Sequence, residues 1–273
     1  NIKRLNVGDY LIIDFDYFED NSLEEIFIVA ENRGIQIFKL IDDDFYSKFR
    51  LKMNLIKFGK IKLLKYRSQP LKQAYNQINK RLFDFIFSAL FLLIIFWWAF
   101  IIIGIIIKIT SSGPILFRQK RVGKDGKTFY CLKFRSMHNE KIVLKDGKIT
   151  SVNDNRIYPF GKFLRKSNLD EFPQFINVFI GEMSVVGPRP HMISEDSMLA
   201  KQLSKYRIRH WVRPGITGLA AVKGFRGGTE DMDLMQKRID YDILYIEGWS
   251  IKKDIKICIS TFFDMFFGNT KAH

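Results

Sequence analysis

Cysteine is nearly absent: Cys131 and Cys258 are the only two in 273 residues, and they stand far apart with no metal-ligand spacing around them. Neither a disulfide framework nor a zinc site is indicated, and a reducing, cytoplasmic setting fits. Histidine is also scarce. His138, His191, His210 and His273 include no pair four residues apart on one helix face, so a histidine metal site has no basis. No G-x-G-x-x-G occurs, which removes the usual signal for a dinucleotide cofactor. Acidic residues are in deficit, 29 against 44 lysines and arginines, leaving a net charge of +15 and an isoelectric point near 9.7. Such a field attracts anions, and charge alone does not choose among nucleic acid, anionic lipid and nucleotide. The chain opens on Asn1 rather than methionine, which reads as a fragment or a processed product.

Apolar material is plentiful. With 47% hydrophobic residues and a mean hydropathy of −0.06, the chain suits one good-sized core plus something smaller, and global disorder does not fit. Residues 85–107 carry no charge at all. At about 1.5 Å per residue this run is long enough to cross a hydrocarbon core of about 30 Å. It lies some way into the chain with no small-residue cleavage pattern behind it, so a signal peptide is disfavoured. Lys80 and Arg81 precede it, while Lys108, Arg118, Lys120 and Arg121 follow. The positive-inside tendency wants both flanks in the cytoplasm, which a re-entrant hairpin satisfies and a straight span does not. The run holds no proline, and Trp97-Trp98 at its centre is the candidate for a break.

Before this run, residues 1–67 alternate in β–α–β fashion: Tyr10 to Phe15 as a strand, Ser22 to Arg33 as a helix, Ile35 to Leu40 as a strand. Ser22 with Glu25 forms a capping-box pattern and Gly34 is a helix stop. Residues 68–79 form a polar connector. After the run, Pro114 to Arg121 and Phe129 to Phe134 flank a Gly123–Lys127 hairpin signal, and His138 to Asn155 reads as a loop. Near the C-terminus, Trp249, Ile251, Ile255, Ile259, Phe262, Phe263, Phe266 and Phe267 give an apolar helical face with Lys252, Lys253 and Lys256 set opposite. That pattern suits a helix lying in a membrane interface or an ordinary packing helix.

The chemistry-bearing stretch runs from Leu169 to Pro190. Asp170 and Glu171 are neighbours, so they diverge on a helix and cannot flank a sugar from two sides, which weakens a glycosidase assignment. They suit a shared metal or phosphate site, or else a simple helix cap with Asn168 as N-cap and Glu171 at the third position. Arg165 lies just upstream. Downstream, Gly187-Pro188-Arg189-Pro190 holds a guanidinium between two prolines, suited to bidentate contact with phosphate. Arg213-Pro214-Gly215-Ile216-Thr217-Gly218 and Lys223 to Thr229, with Arg226, form a basic, glycine-rich region where backbone amides can approach an anion.

At these residues the chain resembles the bacterial sugar transferase family, the monotopic polyprenyl-phosphate phosphoglycosyl transferases. The likeness rests on Lys80-Arg81-Leu82-Phe83-Asp84, Phe117 to Gly123, Leu132 to Met137, the Asp170-Glu171 stretch and Arg213-Pro214-Gly215, and so covers residues 80–273. It implies a mixed α/β, membrane-associated protein: a small helix-rich catalytic domain with a re-entrant helix and interfacial helices, preceded by part of a Rossmann-like segment. It also implies a two-step transfer. A UDP-sugar loses its nucleoside monophosphate to Asp170, and the phosphosugar then passes to undecaprenyl phosphate. Glu171 would assist with Mg²⁺ or proton transfer, the dyad would be the metal site, and Lys133, Arg135, Arg165, Arg189, Arg213 and Arg226 are the candidate phosphate-binding cations. The pattern is most similar to the branch that transfers glucose 1-phosphate at the cytoplasmic face of the bacterial inner membrane. Galactose, an N-acetylated sugar and self-association stay open, nucleic acid is not an expected partner, and a non-catalytic membrane-surface adaptor is the competing class.

Overall fold

The computed structural model describes residues 5–13, 20–41, 54–58, 61–65, 67–138, 156–225 and 231–266. The stretch read as a loop after His138, and Arg226, lie outside the described residues. In the N-terminal part, β1 (Tyr10–Ile13) and β2 (Gln36–Ile41) pair in parallel, with α1 (Asp20–Arg33) between them in sequence. The antiparallel pair β3 (Asn54–Phe58) and β4 (Ile61–Lys65) completes a sheet of order β1-β2-β4-β3. Helix α1 starts two residues before Ser22, so the Ser22–Glu25 capping box does not form. Asp20 and Asn21 suit a helix start as well as serine does, and Ser22 falls in the first turn. Gly34 ends the helix with φ +69°, a conformation that disfavours side chains.

This unit is docked onto the rest of the molecule. Trp211 donates its indole N–H to the Gly34 carbonyl at 2.6 Å, and Arg67 bridges Glu31, at 2.6 Å, and Glu247. A Cβ on Gly34 would lie 2.9 Å from the Arg207 carbonyl oxygen, so the close approach also requires glycine there.

Helix α2 (Ala74–Phe91) passes through a π-helical turn (Leu92–Phe96) into α3 (Trp97–Thr110). Together they form a continuous 37-residue helix, long and apolar enough by length and composition to cross a membrane. The chain does not break at Trp97-Trp98: both are helical, and the irregularity is the π turn just before them. With no proline, no amide is removed there, and the disturbance is absorbed as one widened turn. Trp98 donates its indole N–H to the Ile94 carbonyl at 2.8 Å. One side of the helix, including Leu93, Ile94, Trp97, Ile101 and Ile105, is exposed, while Ala99, Ile103 and Ile107 pack against Phe134 and Leu164.

The hairpin of β5 (Leu116–Val122) and β6 (Thr128–Phe134) forms as its turn signal implied, with Asp125 and Gly126 both at positive φ. Next come α4 (Pro159–Lys166), a 3₁₀ turn (Leu169–Glu171), α5 (Gln174–Ile180), β7 (Ser184–Val186) and α6 (Ile193–Gln202). A longer 3₁₀ segment (Tyr206–Trp211) then leads to β8 (Gly215–Thr217), α7 (Leu219–Val222), α8 (Met232–Glu247) and α9 (Ile251–Phe266). Val178, Met183, Val185, Leu199, Ile208, Met235 and Ile246 lie at the centre of the main core.

Helix α9 turns its apolar stripe outward: Ile255, Ile259, Phe262 and Phe263 are all exposed. Lys252 and Lys256 flank that stripe rather than oppose it. The side opposite is the one the core takes, through Asp254 and Ile257. Trp249 is buried and belongs to the core, not to the stripe.

Candidate active site

Strand alternation places the first of the candidate cations. On β5 and β6, Arg118, Lys120 and Tyr130 are exposed, while Phe129, Cys131 and the stem of Lys133 turn inward. Lys133 thereby reaches the 3₁₀ turn that carries the dyad. Its Nζ lies 2.7 Å from Glu171 Oε1 and 3.9 Å from Asp170 Oδ2. Arg189 meets both oxygens of Glu171, donating to the same Oε1 at 2.7 Å and to Oε2 at 3.3 Å. Asp170 is only 7% exposed. Adjacent carboxylates thus share one ammonium, and one of them also carries a guanidinium.

The dyad is not a helix cap. Asn168 takes a left-handed conformation, φ 57°, and its side chain makes no capping hydrogen bond, while the Glu171 carboxylate is committed to Lys133 and Arg189. Two charged donors outcompete a single backbone amide for a carboxylate.

The two carboxyls are driven apart electrostatically. Burial raises Asp170 above the ordinary carboxylate range, Lys133 opposing and Glu171 reinforcing the shift. Burial acts on Glu171 in the same sense, but Arg189 and Lys133 outweigh it and hold that carboxyl well below its usual value. The pair therefore comprises one acid whose ionised form its cations favour and one whose ionised form burial disfavours.

Arg189 is mounted on an unusually close backbone contact. Strands β7 and β8 pair in parallel, and a Cβ on Gly215 would sit 2.1 Å from the Gly187 nitrogen. In that block the glycine at 215 serves chain-to-chain packing rather than approach to an anion. Gly215→Ala is expected to lower stability by about 1–3 kcal/mol and to displace Arg189, measurable as a lower unfolding midpoint together with reduced turnover.

The other candidate cations separate. Arg165 donates to Ser136 Oγ at 2.9 Å, and its charge opposes the effect of burial on Asp170. Arg135 is elsewhere: 1% exposed, it donates to Pro114 O at 2.7 Å and to Ser111 and Ser112, closing the chain that leaves α3. Arg213 donates to the Gly181 carbonyl at 2.7 Å and lines a cleft with Lys80, Asp84 and Tyr245. Neither Arg135 nor Arg213 is brought to the dyad. Arg121 and Arg209 were missed by the sequence. Arg121 donates to Pro190 O at 3.0 Å and Arg209 to Arg189 O at 2.7 Å, so both hold the segment after β7 that carries Arg189. The alternation on β5 was a signal for Arg121; Arg209 had none.

Aromatic rings tie the dyad to the long helix. Phe172, directly after Glu171, meets Phe91 edge-on at 5.0 Å, and Phe134, directly after Lys133, packs on Phe96 and Phe100. The π turn lies between these contacts, so the site sits against the middle of the apolar helix.

Among the described residues no three His, Cys, Asp or Glu side chains gather as a metal cage. A divalent cation at this site would have the carboxylates of Asp170 and Glu171 as its protein donors. That number suits Mg²⁺, which commonly takes one or two carboxylates and completes its shell with substrate phosphate and water.

A family model described as bacterial sugar transferase matches residues 75–268. Three relatives bear the name UDP-glucose:undecaprenyl-phosphate glucose-1-phosphate transferase. That of Klebsiella pneumoniae is 47% identical over 197 residues, 71% of this chain and 42% of the relative. That of Xanthomonas campestris pv. campestris is 36% identical over 260 residues, 90% of this chain and 54% of the relative. That of Caulobacter vibrioides is 41% identical over 195 residues, 70% of this chain and 71% of the relative. This chain spans about half or less of the first two. The motifs that suggested the likeness therefore fall in a region matched from end to end, and the chain belongs to the bacterial sugar transferase family.

Proposed function

We propose that this chain transfers a sugar 1-phosphate, glucose 1-phosphate by preference, from a UDP-sugar to undecaprenyl phosphate. The buried Asp170-Glu171 dyad, flanked by Lys133, Arg165 and Arg189 and packed on a long apolar helix, carries the assignment. The names of the relatives supply the donor and acceptor.

In this scheme the Asp170 carboxylate attacks the sugar-bearing phosphorus of the donor, UMP leaves, and a phosphosugar ester remains on Asp170. The phosphate of the lipid acceptor then attacks the same phosphorus and frees Asp170. Attack by an anion on a phosphate anion requires cations in place beforehand, and Lys133 and Arg165 lie beside the nucleophile. Arg189 and Lys133 keep Glu171 charged and oriented. Mg²⁺, held by Asp170 and Glu171, would neutralise diphosphate charge and ease departure of the nucleotide.

The same geometry supports re-entry of the helix from the cytoplasmic face. Lys80 and Arg81 at one end bind Asp254 and the carbonyls of Val178 and Phe179, while Ile107 at the other end packs in the cluster with Phe134 and Leu164. Both ends are held by one folded body, and a straight span would carry the dyad into the middle of the bilayer. The π turn is a place where a helix can bend without proline. The outward stripe of α9 supports an interfacial seat for that helix.

The deciding experiment is intact-protein mass spectrometry after mixing the chain with UDP-glucose, UDP-galactose and UDP-N-acetylhexosamines without acceptor. A hexose-phosphate adduct on Asp170, strongest with UDP-glucose, is expected; no adduct with any donor would remove the two-step scheme. The rate of adduct formation is further expected to rise with pH through the Asp170 pKa, because only the ionised form attacks. That acid limb lies above the ordinary aspartate range, since burial raises Asp170. Lys133 pulls the same pKa down, so Lys133→Met is expected to move the limb to higher pH as well as to slow the reaction, read from a pH–rate profile.

A further inference from the structure

Arg209 is 4% exposed and uses its guanidinium in three directions. Nε donates to Asp242 Oδ2 at 2.8 Å, with both side chains 3% exposed. Nη2 donates to the Arg189 carbonyl at 2.7 Å, and Nη1 lies 3.1 Å from His191 Nδ1 and 3.3 Å from the Tyr206 hydroxyl. Replacing a buried ion pair by apolar residues is often neutral or stabilising, so stability alone is a poor reason for this one. Its geometry offers another. The carbonyls of Pro188, Arg189 and Pro190 each accept a hydrogen bond, from Gly215 N at 2.9 Å, Arg209 and Arg121 respectively. Arg209 holds the middle of the three, directly at the root of the side chain that grips Glu171. The Arg189 side chain is itself 49% exposed, and the contact at its tip is to Glu171.

We propose that Arg209, anchored by Asp242, is a positioning residue for the transfer reaction: it fixes the main chain beneath Arg189 and so aims that guanidinium at the dyad. The assignment rests on the proposed function, in which Arg189 orients Glu171 through its contacts at 2.7 and 3.3 Å. The 3₁₀ segment that carries Arg209 is in turn held by the N-terminal unit through the Trp211–Gly34 hydrogen bond at 2.6 Å. The anchor thus runs from the contact with the N-terminal unit to the edge of the site. Lysine cannot take over, because one ammonium on a flexible stem cannot span Asp242 and the Arg189 carbonyl with the geometry of a planar fork.

The test is a double-mutant cycle on the full chain in lipid nanodiscs, following release of UMP from UDP-glucose. Arg209→Gln is expected to reduce kcat by about 10²-fold, with KM for the donor little changed. Arg209→Lys is expected to fall with it, and added methylguanidinium to restore part of the activity of Arg209→Ala. In an Arg189→Ala background, Arg209→Gln is expected to have no further effect, because its only route to the reaction has been removed. An equal loss in both backgrounds would overturn the proposal in favour of a general structural role, as would full activity of Arg209→Lys. Should Arg209→Gln fail to fold, Asp242→Asn keeps the guanidinium and loosens its anchor, and the same background dependence decides. Hydrogen exchange supplies a readout independent of turnover. Faster exchange in Arg209→Gln confined to residues 187–192 is expected, and unchanged protection there overturns the proposal even if the unsubstituted chain releases no UMP. Absence of UMP release from the unsubstituted chain counts instead against the proposed function.

Discussion

Asp170→Asn is expected to release no UMP from any UDP-sugar and to form no covalent adduct, a loss of about 10⁴-fold or more, the scale seen when a nucleophile is removed. The substitution is nearly isosteric and takes away only the attacking oxygen's charge. Fold and membrane binding should survive it. Burial already disfavours the Asp170 carboxylate, so a neutral amide at the same place is expected to leave the unfolding midpoint unchanged or slightly higher. A dead variant that still co-sediments with vesicles separates chemistry from surface binding. Undiminished turnover in Asp170→Asn would take the nucleophile role away from this residue. If the unsubstituted chain also lacks turnover while both forms bind vesicles, the membrane-surface adaptor becomes the better description.

The largest expected effect on stability is at Asp254, which has no exposed surface. Its carboxylate receives Lys80 Nζ at 2.7 Å, the Tyr245 hydroxyl at 2.8 Å and the Trp249 indole N–H at 3.1 Å. Lys80 also meets Asp84 at 3.3 Å, and Asp84 in turn accepts from Ser184 Oγ and Val185 N. This cluster fastens the start of the long helix to α9 and β7. Asp254→Ala leaves a buried ammonium with Asp84 as its remaining counter-charge and the Trp249 indole N–H without its acceptor, while the Tyr245 hydroxyl keeps the Val186 carbonyl at 2.9 Å, and is expected to cost about 3–5 kcal/mol. Lys80→Met combined with Asp254→Leu removes that ion pair together, leaves Asp84 to its Ser184 and Val185 donors, and is expected to recover part of that loss. Chemical denaturation of the three proteins in the same detergent checks the order; equal destabilisation by the single and double substitutions would refute the account.

Local signals carried a good part of the fold. The hairpin at Gly123–Lys127 and the helix stop at Gly34 stand where spacing and composition put them, because each depends on neighbours within a turn or two. The apolar stripe on α9 does so at Ile255, Ile259, Phe262 and Phe263 but not at Trp249, and its lysines lie beside it instead of opposite. Where local rules allowed two outcomes they failed. Ser22 and Asn168 both had the residues of a capping box, yet one lies inside its helix and the other turns left-handed while Glu171 faces its cations. The break expected at Trp97-Trp98 does not form there: both are helical and the irregularity is the π turn before them, since bulky residues alone do not interrupt helical hydrogen bonds.

The sequence by itself determined that a chain this basic carries a helix of membrane length, two adjacent carboxylates and an arginine braced by prolines. Tertiary structure alone decided which cations serve the carboxylates. Lys133, Arg165 and Arg189 converge on Asp170 and Glu171, Arg135 and Arg213 are drawn off to carbonyl oxygens, and Arg209 enters unannounced beneath Arg189. The physical reason is that arginine and lysine side chains are interchangeable as charge in a sequence. Their partners are fixed only when burial strips away water and each remaining donor must find an acceptor within about 3 Å.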